Sequence, residues 1–346
     1  MPDVIIVGGG HNGLVAAAAL GRAGRSVLVL ERRAELGGVC DLLTDGSGFS
    51  AVVAKELGLG PGLDAAPVAV DFERRTLDLA GPIEDPGYAP WTAWVDRVRP
   101  ALAAQLDAPA PDIGSAAPIM PLARAGLAVR KLGRADMMEL LRSAPSCVDD
   151  WLGEHMADGL LKAALMMPAL QGTWMGPRSP TSAASLLLLE ATRQGAGRAP
   201  WTLASELRAV CEAAGVQIRC DADVARIRVE GGAVRGVELI DGSAIDAPTV
   251  LSAVGPKKTL LDLLDPRAVP GKLARQAEVV RVRGTLARVT LEGEATWPGF
   301  WLRIVNDPDH LERAFDDVKH RRLPSAPPPL EILVDPHRNR AHVNVW

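Results

Sequence analysis

Three glycines, Gly8, Gly10 and Gly13, follow the apolar run Val4–Val7 in the order G-x-G-x-x-G, with His11 and Asn12 between the last two. Glycines at this spacing suit a turn that brings backbone N–H groups against a diphosphate. The first permits the tight turn, the second lets the phosphates approach, and the third lets helix and strand pack closely. Glu31 follows Gly13 by 18 positions, where a carboxylate can accept hydrogen bonds from the adenosine ribose hydroxyls. An acid there disfavours a 2′-phosphate, which makes NADP the least suitable dinucleotide.

These residues need a strand, a helix and a second strand to position them. Val4–Val7 is a continuous β-branched run, as expected of a buried parallel strand. Residues 14–23 form an Ala-rich stretch that reads as a helix stopped by Gly24, and Val27–Leu30 reads as the next strand, with Glu31 at its end. The helix N-terminus then offers unpaired N–H groups and a positive dipole end to a phosphate.

After Glu31 come Arg32, Arg33 and, past a three-residue gap, Gly37 and Gly38. This E-R-R-x-x-x-G-G run resembles the flavoproteins that include amine oxidases and phytoene desaturases. The GGGHNGL loop is most similar to the phytoene desaturase-like oxidoreductases. The stretch from Gly176 to Ala183 resembles the family's G-P-x-S-P-x-S-A segment, and Val224 and Ile227 resemble its V-x-x-I element. The resemblance implies FAD as cofactor. It implies Gly8, Gly10, His11, Asn12, Gly13, Glu31, Arg32, Arg33, Gly37, Gly38 and Val224 as the residues around it, the backbone of Val224 meeting the adenine. It also implies hydride transfer to the flavin, so that no catalytic side chain stands out.

The implied fold is α/β: a Rossmann-like FAD/NAD(P)-binding domain with a β-meander, plus an α+β substrate domain. The first is expected over residues 1–60 and 198–265, the second over 61–197 and 266–346. Residues 203–214 read as an amphipathic helix and 216–219 as a strand, followed by three meander strands turning at Gly231-Gly232 and Asp241-Gly242. Residues 249–254 read as a buried strand leading into Pro256, Lys257 and Thr259, a match to the family's P-K-x-T return to the sheet. Residues 91–106, 119–132, 134–144 and 148–167 favour helix.

Several function classes are disfavoured. A net charge of −4 argues against a nucleic-acid surface. Cys40, Cys147, Cys211 and Cys220 are scattered without CxxC spacing, which argues against zinc and disulfides and fits a reducing compartment. The run Val4–Val7 lacks the length and basic flank of a signal peptide, so a soluble, cytoplasmic chain is expected. Six histidines show no ligand spacing, and His310 and His320 read as surface residues. Arg124, Arg130, Lys131, Arg134 and Arg142 alternate with Leu and Met, a pattern that fits a solvated helical face, a tunnel guard or a peripheral membrane contact. Met166, Met167, Trp174 and Met175 fit either core packing or the lining of an apolar cavity.

Against the family pattern, three stretches are missing. They are the long flavin-side segment after Gly38, a glycine-rich segment before Leu203, and a C-terminal segment that closes over the flavin ring; the residues from Asp335 onward read as a strand cut short. Two alternatives stay open: a pruned protein that grips nucleotide differently, or a longer enzyme some of whose segments are absent from this sequence. The leading expectation is an FAD-dependent desaturase or dehydrogenase acting on a small apolar or secondary-metabolite substrate. The others are a nucleotide-binding relative without turnover, a flavin amine oxidase and an NAD-dependent dehydrogenase. The last lacks a recognisable catalytic tyrosine–lysine pair, since Tyr88 is the only tyrosine and no lysine follows it by four.

Overall fold

The computed structural model describes residues 1–38, 49–59, 68–106, 119–192, 200–280, 287–293, 301–335 and 340–345. Cys40, one of the four cysteines, lies outside them. The chain divides into two compact units: Met1–Gly46, Val53–Gly60 and Arg198–Arg283 in one, Ser47–Val52, Pro61–Gly197 and Gly284–Trp346 in the other.

In the first unit, β1 (Val4–Val7) and β2 (Val27–Leu30) are uninterrupted apolar tetrapeptides paired in parallel, Val4 opposite Val27 and Val7 opposite Leu30. Parallel strands covered on both faces need such runs. With β5 (Gln217–Arg219) and β9 (Thr249–Ser252) they make a four-stranded parallel sheet in the order β5-β2-β1-β9. The helix α1 (His11–Arg22) links β1 to β2 and packs on α9 (Pro200–Ala213), where the Cys211 thiol donates to the Leu14 carbonyl at 3.2 Å. Burial pushes that thiol up to about 11. At the end of α1, Arg22 donates to the carbonyls of Glu56 and Leu57 in α2 (Ala51–Leu57), at 2.6 and 2.8 Å.

Strands β6 (Val224–Glu230), β7 (Ala233–Leu239) and β8 (Ala244–Asp246) form the antiparallel meander. Its inward residues Val224, Ile227, Val237 and Leu239 share a core with Ile5, Val7 and Leu30. β9 corrects one expectation. Among the described residues it pairs with β1 alone and ends the sheet, and Thr249 is exposed while the other three residues are half-buried rather than buried. A π-helix, Lys258–Leu263, follows it, and α10 (Gly271–Val279) also belongs to this unit.

The second unit pairs a six-stranded mixed sheet with a helical layer. Its strands are β3 (Val68–Val70), β4 (Thr76–Asp78), β10 (Ala287–Glu292), β11 (Trp301–Ile304), β12 (Leu330–Asp335) and β13 (Arg340–Val345), in the order β10-β13-β12-β11-β3-β4. β13, the strand read as cut short, lies inside this sheet between β10 and β12.

The helices are α3 (Tyr88–Leu106), α4 (Ile119–Lys131), α5 (Arg134–Ser143), α6 (Val148–Gly153), α7 (Gly159–Leu170) and α8 (Ser182–Thr192), with α11 (Pro308–Lys319) beyond β11. Trp91, Trp94, Trp151, Leu161, Met166, Met167 and Leu186 fill their common core. The single helix expected over 148–167 is two, because Asp158 caps a new start by accepting from the Leu161 N–H at 3.1 Å. Met166 and Met167 are core, at 0% and 3% exposure, which leaves the cavity reading without them. Trp174 packs edge-on against Phe315.

His310, expected at the surface, is buried. Its Nδ1 accepts from the Asn306 N–H at 3.3 Å and its Nε2 donates to the Pro327 carbonyl at 2.7 Å, so both ring nitrogens are satisfied within the chain. Across the sheet Arg303 stands opposite Glu331, and both are fully buried. Glu331 accepts from Arg303 Nε at 3.2 Å, from the Trp301 indole at 2.8 Å and from Gln171 at 2.7 Å, and Arg303 also donates to the Ala164 carbonyl in α7 at 2.8 Å. No helix among the described residues is long and apolar enough to cross a membrane.

Candidate functional site

The first unit opens a cleft of about 520 Å³ where β1 and β2 end. Its walls include Gly8, Gly10, His11, Asn12, Glu31, Arg32, Arg33, Gly38 and Val224, nine of the residues expected around a dinucleotide. Gly13 and Gly37 are not part of its lining. Val7, Leu30, Ala222, Asp223, Ala253, Val254, Gly255, Lys258 and Leu263 complete the lining among the described residues and are not among the expected site residues. Lys258 occupies the variable position of the P-K-x-T stretch, so the motif itself does not mark it. Nothing in sequence marked Asp223, which reaches the cleft because it precedes Val224.

The three motif glycines do different work. Gly8 has φ +106°, a conformation that L side chains rarely adopt, and its N–H donates to the Leu30 carbonyl at 2.9 Å. A Cβ on Gly13 would lie 2.0 Å from the Gly8 carbonyl oxygen, so only glycine lets α1 close on the loop. Gly10 is different: a Cβ there would meet nothing nearer than the Gly37 oxygen at 3.7 Å. Folding alone therefore does not require a glycine at 10, and the space it keeps open belongs to the cleft. Gly9, absent from the motif reading, is held by packing, since a Cβ would come within 2.5 Å of Leu36 Cδ2 and 3.0 Å of Glu31 Cβ.

Helix α1 begins at this loop without a side-chain cap and with no acid in its first turn. Its first N–H groups therefore keep their capacity for an anion. His11 lies in that first turn with Nδ1 buried and without a hydrogen-bond partner among the described residues, and burial lowers the pKa of the ring below its ordinary 6.5.

Glu31 is 6% exposed and fixed at both oxygens: Oε2 accepts from the Gly9 N–H at 2.7 Å and Oε1 from the Arg33 N–H at 3.0 Å. Each carboxylate oxygen retains a lone pair for a further donor. Main-chain bonds staple this corner to the end of β5 and to the segment that leads into the meander, Glu31 N–H to the Arg219 carbonyl at 2.9 Å and Ala222 N–H to the Glu31 carbonyl at 2.9 Å. That brings Asp223 and Val224 beside the acid. The diglycine lies on the phosphate loop: Gly37 N–H donates to the Gly9 carbonyl at 3.0 Å, and a Cβ on Gly38 would be 3.2 Å from Gly10 Cα. Opposite, Ser252 Oγ and Thr259 Oγ1 share a hydrogen bond at 2.7 Å that ties the end of β9 to the π-helix carrying Lys258.

The arrangement fits a nucleotide diphosphate. It has an open helix N-terminus, a glycine whose missing side chain serves the cleft, a fixed acid, an orphaned imidazole nitrogen and a basic residue on the facing element.

Residues 6–57 match the model of the NAD(P)-binding Rossmann-like domain. A mouse (Mus musculus) protein named pyridine nucleotide-disulfide oxidoreductase domain-containing protein 2 is 24% identical over 96% of this chain and 69% of its own length. An oxidoreductase from Methanosarcina mazei superposes with a TM-score of 0.55 at 16% identity, covering 99% of this chain and 78% of that one. Putrescine oxidase in complex with putrescine gives a TM-score of 0.50 at 16% identity, covering 99% and 75%. The chain thus has an α/β fold with a Rossmann-like domain, within which residues 6–57 are similar to the NAD(P)-binding model, and it shares that fold with a solved oxidoreductase.

Proposed function

We propose that the first unit binds FAD by its ADP half and that the protein is an FAD-dependent oxidoreductase acting on a small apolar substrate. The observation that carries the reading is Gly10, a glycine that packing does not demand, facing the cleft between an uncapped helix and a fixed acid. In this reading the N–H groups of the first turn of α1 bind the diphosphate, and Glu31 accepts from the ribose hydroxyls. The main chain at Val224 meets the adenine. The Gly37-Gly38 pair, packed on Gly10, favours FAD over NAD, since it carries the chain back over the loop and extends the wall beyond the adenosine end. Arg32 and Arg33 add positive charge at the same rim.

When bound, FAD supplies the redox chemistry by accepting a hydride equivalent. The protein then needs to hold the substrate's C–H bond in place and exclude water. Unit two, with its apolar helical layer, is the part we assign to the substrate.

An amine substrate is the second reading, favoured by the fold shared with putrescine oxidase. Anaerobic mixing of the FAD-loaded protein with a polyene and, separately, with a diamine distinguishes them. Bleaching of the flavin bands by the polyene alone is the expected result; bleaching by the diamine alone moves the assignment to amine oxidation, and bleaching by neither, across a substrate panel, favours a nucleotide-binding relative without turnover.

A further inference from the structure

Two neighbouring helices of the second unit expose apolar side chains that their own inward faces do not need. α4 turns Val129 toward the helical core and α5 turns Leu140 there. Yet Leu127 on α4 is 52% exposed, and Met138 and Leu141 on α5 are 55% and 59% exposed. At 3.6 residues per turn, Arg124, Leu127 and Lys131 fall within about 60° of one another around α4. Arg134, Met138 and Leu141 fall within about 60° around α5. Each outer stripe therefore mixes basic and large apolar side chains.

The charge on this face is one-sided. Arg124, Arg130, Lys131 and Arg134 are exposed and make no ion pair among the described residues. The acids nearby are already neutralised. Asp136 takes two bonds from Arg97, at 2.8 and 3.0 Å, and Glu139 pairs at 2.8 Å with Arg142, which also holds Glu154 at 2.7 Å. Four unpaired cations thus lie within residues 124–134 of a chain whose net charge is −4. Segregation of that kind costs self-repulsion in water and is relieved by a polyanionic surface. Apolar side chains among the cations select a lipid surface, which takes both, over a nucleic acid, which takes only the charge.

We propose that the outer face of α4 and α5 docks on an anionic bilayer, with Leu127, Met138 and Leu141 entering the interface and the four cations meeting lipid phosphates. The docking is peripheral and does not depend on whether the cleft of the first unit holds FAD.

Co-sedimentation of the full chain tests this with vesicles of phosphatidylcholine alone and with added phosphatidylglycerol. Binding is expected to the mixed vesicles, weakening as salt is raised. The double variant Arg130→Glu/Lys131→Glu is expected to lose roughly tenfold or more in partitioning, since each cation near such a surface contributes about fivefold. The triple variant Leu127→Ser/Met138→Ser/Leu141→Ser is expected to lose binding while keeping the wild-type circular dichroism and melting temperature, because all three side chains are half in solvent. No sedimentation with the mixed vesicles, equal sedimentation with neutral ones, or unchanged binding in both variants would overturn the proposal. So would retention on a polyanion such as heparin without binding to vesicles.

Discussion

At the scale of single residues, the motif glycines separate folding from binding. Gly10→Ala adds a Cβ whose nearest neighbour is 3.7 Å away, so its melting temperature should stay within a degree or so of wild type while FAD affinity falls by about tenfold or more. Gly13→Ala puts a Cβ 2.0 Å from the Gly8 oxygen and should destabilise the fold by about 1–3 kcal/mol or more, measured by urea unfolding. The same loop carries a pH dependence. Burial depresses the His11 pKa below 6.5, so the folded state favours the neutral ring, and the unfolded chain takes the proton first as pH falls. Stability from this group is therefore present above 6.5 and lost on acidification below it. The drop in melting temperature from roughly pH 7 to pH 5.5 should be smaller in His11→Gln than in wild type; an equal drop in both removes His11 from the account. These positions were legible in sequence because the strand, loop and acid lie within one short segment whose geometry local spacing fixes. Gly9 was not, because its need comes from Leu36 and Glu31 folding over it.

Among the elements, those with a single period were readable and those that depend on a cap or a neighbour were not. The tetrapeptides of β1 and β2 and the Ala-rich α1 announce themselves by composition. The break between α6 and α7 depends on Asp158 accepting from Leu161, within a sequence that stays apolar on both sides. Replacing Asp158 with Ala should cost about 1 kcal/mol from the cap; urea unfolding measures it, and no change would show the cap to be idle. Likewise β9 reads as a buried strand because Val250 and Leu251 are apolar, but its place at the sheet edge is set by the strand order, which sequence does not display. Lys258 enters the cleft for the same reason, carried there by the π-helix that Thr259 ties to Ser252.

For the molecule as a whole, the contacts least visible in sequence are the long-range polar ones. Arg303 and Glu331 belong to no motif, and only the antiparallel register of β11 and β12 sets them opposite each other with Trp301 and Gln171 around the carboxylate. Arg303→Met leaves the Glu331 charge buried without its cation and should cost about 3–5 kcal/mol, read from chemical unfolding. Restoring a neutral pair with Arg303→Met/Glu331→Gln should recover part of that loss. The central claim concerns the other unit, and calorimetric titration of the full chain with FAD tests it most directly. The account predicts one FAD per chain, competition by ADP, weaker binding of NAD, and FAD and ADP binding weakened together by about tenfold or more in a folded Gly10→Ala variant. Absence of FAD binding by the folded protein, or undiminished binding by Gly10→Ala, would contradict it.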